Sequence, residues 1–107
     1  MQNETASTAF LKYGSVFRNF SEEFKSSLIC QTRRISAQQS LSQFLQFSCD
    51  IYIEVQNGIG ILLVSENPEN QPIEEFGMNH RIHIKPNVYF AFIATTPELT
   101  VDVYVES

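Results

Sequence analysis

The chain is short of basic residues, histidine and cysteine. Seven Lys+Arg stand against twelve Asp+Glu, a net charge of −5 over 107 residues. Such a chain has little cationic surface for a phosphate backbone or an anionic bilayer, so neither nucleic acid nor membrane is expected as a partner. No apolar run approaches the roughly 18 residues of a membrane span. Met1–Thr5 has neither the basic nor the apolar stretch of a secretory leader, so a cytoplasmic location is expected. Two cysteines, Cys30 and Cys49, make no disulfide framework and no zinc site, and both are expected as buried free thiols. Phosphate loops, nucleophile elbows and zinc-finger spacings are also missing.

What is present suits a small globular fold. Hydrophobic residues make up 43% of the chain, enough for a single core and not for two domains. Residues 1–9 are small and polar and read as a flexible arm, leaving 10–107 as one domain. Phe17, Phe20, Phe24 and Leu28 recur at helical spacing, and Ser21 before Glu22–Glu23 has the form of an N-cap. A short helix is therefore predicted near residues 21–27, with Gly14 ending any earlier helix.

Beyond Leu28 the period changes to two. Cys49, Ile51, Ile53 and Val55 alternate with Asp50, Tyr52, Glu54 and Gln56, as in a strand with one buried face. Asn57–Gly58 is a favoured two-residue hairpin turn, and Ile59–Val64 is apolar on both faces. Ser65–Pro72 reads as a loop, Ile73–Phe76 as a short strand and Gly77–Asn79 as a turn. Arg81–Lys85, Val88–Ala94 and Leu99–Val105 read as further strands, with Leu28–Ile35 and Leu41–Phe47 as weaker ones. Many short strands separated by frequent turns define an all-β sandwich or barrel.

The order of these segments resembles the cupins, small jelly-roll β-barrels. Val55–Gln56–Asn57–Gly58 followed by Ile59–Leu63 is similar to their first motif, and Ile84–Phe92 to their second. Phe10–Val16 resembles the lead-in of the ureidoglycolate lyase-like cupins. The resemblance implies a cupin-like barrel with a short N-terminal helical segment. A metal-binding cupin carries two histidines and a glutamate on the first motif and a histidine on the second. Here the first region offers Gln43, Phe44, Gln46 and Asp50, and the second-motif position falls at about Phe90. No metal and no cofactor are therefore expected, and no catalytic residue is carried over.

Several residues remain as candidate ligand contacts. Tyr52 and Glu54 share a polar strand face with Asp50, a placement that suits acid–base chemistry if that face lines a cavity. His83 shares a face with Arg81 and Lys85, whereas His80, three residues away, falls on the other side of a strand or in the turn. Arg33, beside Arg34, could clamp a carboxylate or phosphate. Phe90 and Phe92 should face the barrel interior. These features lead to a metal-independent module binding a sugar or small carboxylate. One alternative is a lyase or isomerase with Glu54 or His83 as base and an arginine as clamp; another is a structural oligomer subunit. The aromatics Phe10, Tyr13, Phe17 and Phe20 should cover a barrel face or meet a second copy in a homodimer.

Overall fold

A computed structural model describes residues 8–17, 20–36, 42–67, 69, 74–78 and 81–106 of the chain. Two short helices and eight strands follow in order. They are α1 (Thr8–Leu11), β1 (Gly14–Phe17), α2 (Glu22–Ser26), β2 (Leu28–Ser36), β3 (Ile51–Asn57), β4 (Gly60–Ser65), β5 (Glu74–Met78), β6 (Arg81–Ile84), β7 (Tyr89–Ala94) and β8 (Glu98–Glu106). The strands form a five-stranded sheet, ordered β1-β6-β3-β8-β2, and a three-stranded sheet, ordered β5-β4-β7. All the pairings are antiparallel. The predicted all-β, cupin-like architecture is the one observed.

The core lies between the sheets and follows from the period of two. Ile51 and Ile53 of β3, Ile82 and Ile84 of β6, and Leu99, Val101 and Val103 of β8 line the inner face of the larger sheet. Leu62 and Val64 of β4 and Phe90 and Phe92 of β7 meet them from the smaller sheet. Each such side chain, fully buried, contributes about 1.5–3 kcal/mol. Phe10 and Tyr13, from α1 and the turn after it, join the same core. Gly14 opens β1 where the backbone of His83 lies too close for any Cβ.

Four local expectations are corrected. Asn57–Gly58 does not join a hairpin: β3 pairs with β6 and β8, whereas β4 pairs with β5 and β7. The turn carries the chain from one sheet to the other, and Gly58 supplies the positive φ of 86° that this corner uses. The segment 42–47 is not a strand; besides one isolated bridge from Leu45 to Phe90, it is held by hydrogen bonds with Phe92 and Asn87. Gly77 and Met78 lie within β5 rather than in a turn. Phe17, Phe20, Phe24 and Leu28 do not share a helix, since Phe17 ends β1, Phe20 precedes the helix and Leu28 begins β2.

The helix itself is as predicted. The Ser21 hydroxyl accepts from the Phe24 backbone N–H at 3.1 Å. Glu22 and Glu23 sit in the first turn, where the helix dipole favours acids. Of the expected arm, α1 already includes Thr8, and residues 1–7 lie outside the described residues. His80 and Asn79 also lie outside them, as do Pro68, residues 70–72 and Ile73.

Candidate functional site

The alternation that builds the core also decides where the candidate residues go, and it divides them among three places. Tyr52 and Glu54 of β3 and His83 of β6 lie on the outer face of the five-stranded sheet. Their cross-strand partners there are His83 for Tyr52 and Arg81 for Glu54. Phe90 is fully buried between the sheets. Arg33 and Phe92 come together in a groove at the β2 edge.

On the outer face almost every polar group has a partner. Glu54 is only 9% exposed. Its carboxylate takes Arg81 Nε at 2.9 Å and Lys25 Nζ at 2.9 Å, and accepts from Gln56 Nε2 at 3.1 Å. Burial works against the charge of Glu54, but the hydrogen bonds from Arg81 and Lys25 outweigh it and hold the carboxyl below its usual range. The same hydrogen bond to Glu54 raises Lys25. His83 Nε2 lies 2.7 Å from Asp50 Oδ1, and the Tyr52 ring lies against the imidazole at 5.1 Å.

Above these groups the aromatics of the N-terminal segment form a second, smaller apolar cluster. Phe20 packs on Tyr104 at 4.9 Å and on Phe17 at 5.4 Å, and Phe24 meets Tyr52 at 5.0 Å. Lys25 Nζ sits 5.2 Å from the centre of the Phe20 ring. Burial, with Cys30 beside it, pushes the Tyr104 hydroxyl up to about 12. Cys30 is exposed on β2, contrary to expectation, while Cys49 is partly buried against the core. Partial burial of its sulfur and the charge of Asp102 push the Cys30 thiol up, away from a reactive thiolate.

The groove is built differently. β2 is the last strand of the larger sheet, and the smaller sheet has only three strands, so the inner face of β2 is left partly uncovered. Arg33 lies opposite Val101 and Ile35 opposite Leu99, both inward-facing positions of β8. Hence Arg33 points to the inner side although it belongs to an edge strand. The opposite wall is the 42–45 segment, strapped to β7. Ser42 N–H donates to Phe92 O at 2.9 Å, Phe92 N–H donates to Ser42 Oγ at 2.8 Å, and Leu45 and Phe90 exchange both backbone bonds. The result is a pocket of about 370 Å³ with Arg33, Ile35, Ser42, Gln43, Leu45 and Phe92 among its lining residues. Arg33 Nε is buried and has no hydrogen-bond partner among the described residues. A buried donor left unpaired costs about 1–3 kcal/mol.

The residues present do not fit the metal centre that a cupin-like fold implies. The inward positions of β3, β6 and β7 carry isoleucine and phenylalanine, which offer no donor atoms. Among the described residues no three His, Cys, Asp or Glu side chains converge as metal ligands. No helix among them is long and apolar enough to cross a membrane.

Of the groove residues, the sequence does not point to Ser42, and it places Gln43 only in the region where a metal-binding cupin carries its first-motif ligands. Their strap is held by hydrogen bonds to β7 and carries no period of its own.

This two-sheet architecture is that of the cupin-like β-sandwiches. The chain is similar to hydroxypropylphosphonic acid epoxidase from S. wedmorenis, with a TM-score of 0.58 and 14% identity over 74% of this chain and 43% of that one. It is also similar to the Bacillus halodurans protein BH2720, with a TM-score of 0.55 and 17% identity over 76% of this chain and 64% of that one. The chain thus spans less than two thirds of either protein, and at these identities the likeness is one of fold. No family model matches the chain, and no curated protein is a significant sequence match.

Proposed function

We propose that the protein is a cupin-like binding module for a small carboxylate, such as a hydroxy acid or sugar acid, taken up in the groove between β2 and the 42–45 strap. The observation that carries this reading is the buried Arg33 Nε without a partner among the described residues, at a pocket also lined by Ser42, Gln43 and Leu45. A guanidinium in a half-buried site receives a carboxylate through charge-assisted bonds that it cannot make with its present neighbours. Ser42 and Gln43 on the strap supply further hydrogen-bonding groups for ligand hydroxyls. The similarity of Phe10–Val16 to the ureidoglycolate lyase-like cupins favours an acid as the ligand class.

Binding is favoured over catalysis by the separation of the groups. Glu54 and His83 lie on the far side of the larger sheet from the groove, and Glu54 is already held by two cations. Neither candidate base therefore shares a site with Arg33, and the arginine beside Glu54, Arg81, is ion-paired with it.

Thermal melts against acetate, succinate, glycolate and gluconate test the reading, because a ligand that binds only the native state raises the melting temperature. At least one of these acids should raise it, and Arg33→Gln should abolish the rise without changing the melt in its absence. A rise that persists in Arg33→Gln, or no rise with any acid at high millimolar concentration, would overturn it.

A further inference from the structure

β2 is a nine-residue strand at the open edge of the five-stranded sheet. Its one partner among the described residues is β8. Ile29 is 48% exposed on it, and Cys30, Gln31, Thr32 and Arg34 are also exposed. A long, flat edge with unpaired backbone groups is a template for another strand, and most proteins guard such edges with charge. Here the guards, Arg33 and Arg34, are adjacent, and they restrict pairing rather than prevent it.

We infer that β2 pairs antiparallel with β2 of a second copy of this chain, about a two-fold axis at Thr32, and that this pairing brings the second copy's Gln31 to the wall of the Arg33 groove. The axis must run perpendicular to the sheet to keep both inner faces on one side, so facing residues must belong to the same face. A centre at Arg33 or Arg34 would set two guanidinium groups directly opposite, which is destabilising. A centre at Gln31 would set Arg33 against Ile29. The centre at Thr32 pairs Ile29 with Ile35, Cys30 with Arg34, Gln31 with Arg33 and Thr32 with Thr32, so no facing pair across Ile29–Ile35 sets like charges together. The exposed Ile29 thereby gains an apolar neighbour.

The same register places the two Arg33 side chains on a diagonal, roughly 7–8 Å apart at the strand level. Two like charges at that spacing oppose pairing until an anion lies between or beside them. Resting on the proposed carboxylate site, the pairing should therefore be tightened by a dicarboxylate.

Sedimentation of the full chain across micromolar concentrations, with and without succinate, tests the inference together with two variants. A dimer is expected, tightened about tenfold by succinate. Gln31→Lys sets a cation opposite each Arg33 and should weaken the dimer about tenfold or more. Gln31 is exposed, so the monomer's melt should stay unchanged. Thr32→Cys, with Cys30 and Cys49 replaced by serine, should form an intermolecular disulfide under mild oxidation. Facing Cα atoms in an antiparallel pair are about 4.5–5.5 Å apart, within reach of the bond. The unmodified chain should not crosslink, since its two Cys30 residues would be four positions out of register, roughly 13 Å along the strand. A monomer under all conditions would overturn the inference, and so would a dimer in which Thr32→Cys does not crosslink. A dimer that crosslinks but ignores succinate supports the strand pairing and removes the carboxylate reading of the groove.

Discussion

The two faces of the five-stranded sheet differ in how they treat charge. On the outer face, Glu54 is bound by Arg81 and Lys25, His83 by Asp50, and the aromatics of the N-terminal segment lie over them. At the uncovered end of the inner face, Arg33 stands in a groove with a buried donor unpaired. The outer face holds more of the residue types associated with catalysis, yet its groups have already satisfied one another. The groove holds fewer, and one of them lacks a partner. In a folded protein an unmet requirement is a better pointer to a ligand than a concentration of reactive side chains.

If that contrast holds, substitutions outside the groove should change stability and spare ligand binding, and substitutions within it should do the reverse. The largest effect should come from the core that separates the two faces. Phe90→Ala should lower stability by about 3–5 kcal/mol in urea melts, since a fully buried ring leaves a cavity behind it. Phe90→His should be no milder, because the imidazole would be buried among core side chains that are almost all apolar. Full tolerance of histidine there would mean that an open cavity reaches Phe90.

A smaller loss, roughly 1–3 kcal/mol, is expected for Glu54→Gln, which leaves Lys25 and Arg81 without their shared carboxylate. The carboxylate-induced rise in melting temperature should survive this change. Its loss would place the binding site on the outer face instead.

Two pH effects sharpen the comparison. Glu54 titrates in the folded protein below its ordinary value of 4.5. Its stabilisation is therefore complete above that value and is lost as pH falls through the lower folded value. Glu54→Gln should flatten the acid limb of the stability profile. Tyr104 is raised from 10 to about 12. The folded chain keeps a proton there that the unfolded chain releases, so stability should fall between those two values as pH rises. Tyr104→Phe should remove that part of the alkaline limb. An unchanged limb in either variant would show that the cluster does not govern it.

The smallest effect on stability belongs to Arg33→Met, which removes a buried donor with nothing to bond. Relief of the unpaired donor is offset by the lost packing of the arginine stem, so its melt should match or slightly exceed that of the parent chain, within about 0.5 kcal/mol. A clear loss would mean that Arg33 is held by the fold rather than open to a ligand.

The individual strands were readable because a period of two is a direct record of one buried face, as in Cys49–Gln56 and Leu99–Val105. Strands apolar on both faces, Ile59–Val64 and Val88–Ala94, were equally plain. What could not be read was which sheet each strand joins. Asn57–Gly58 has the composition of a hairpin turn, and only the long-range pairings of β3 and β4 show that it is a corner. The helical spacing of Phe17, Phe20 and Phe24 was misleading for a related reason. These residues converge from a strand end, a loop and a helix onto Tyr52 and Tyr104, which the local sequence does not contain. Arg33 and Phe92 were both picked out, but their meeting depends on β2 being an edge strand and on a strap with no pattern of its own.

The position of β8 has a consequence for how the chain assembles. It is the last strand in order, yet it lies between β3 and β2 and pairs with both, from Leu28 opposite Glu106 to Asn57 opposite Thr100. During synthesis, both of those strands wait with unpaired edges until the nine residues of β8 leave the ribosome. Pairings this distant in sequence form slowly, because a long loop must close before any contact rewards it. The nascent chain therefore spends its most aggregation-prone interval with its longest edge strand exposed, and removing β8 would leave the remaining strands of the larger sheet as two disconnected pieces.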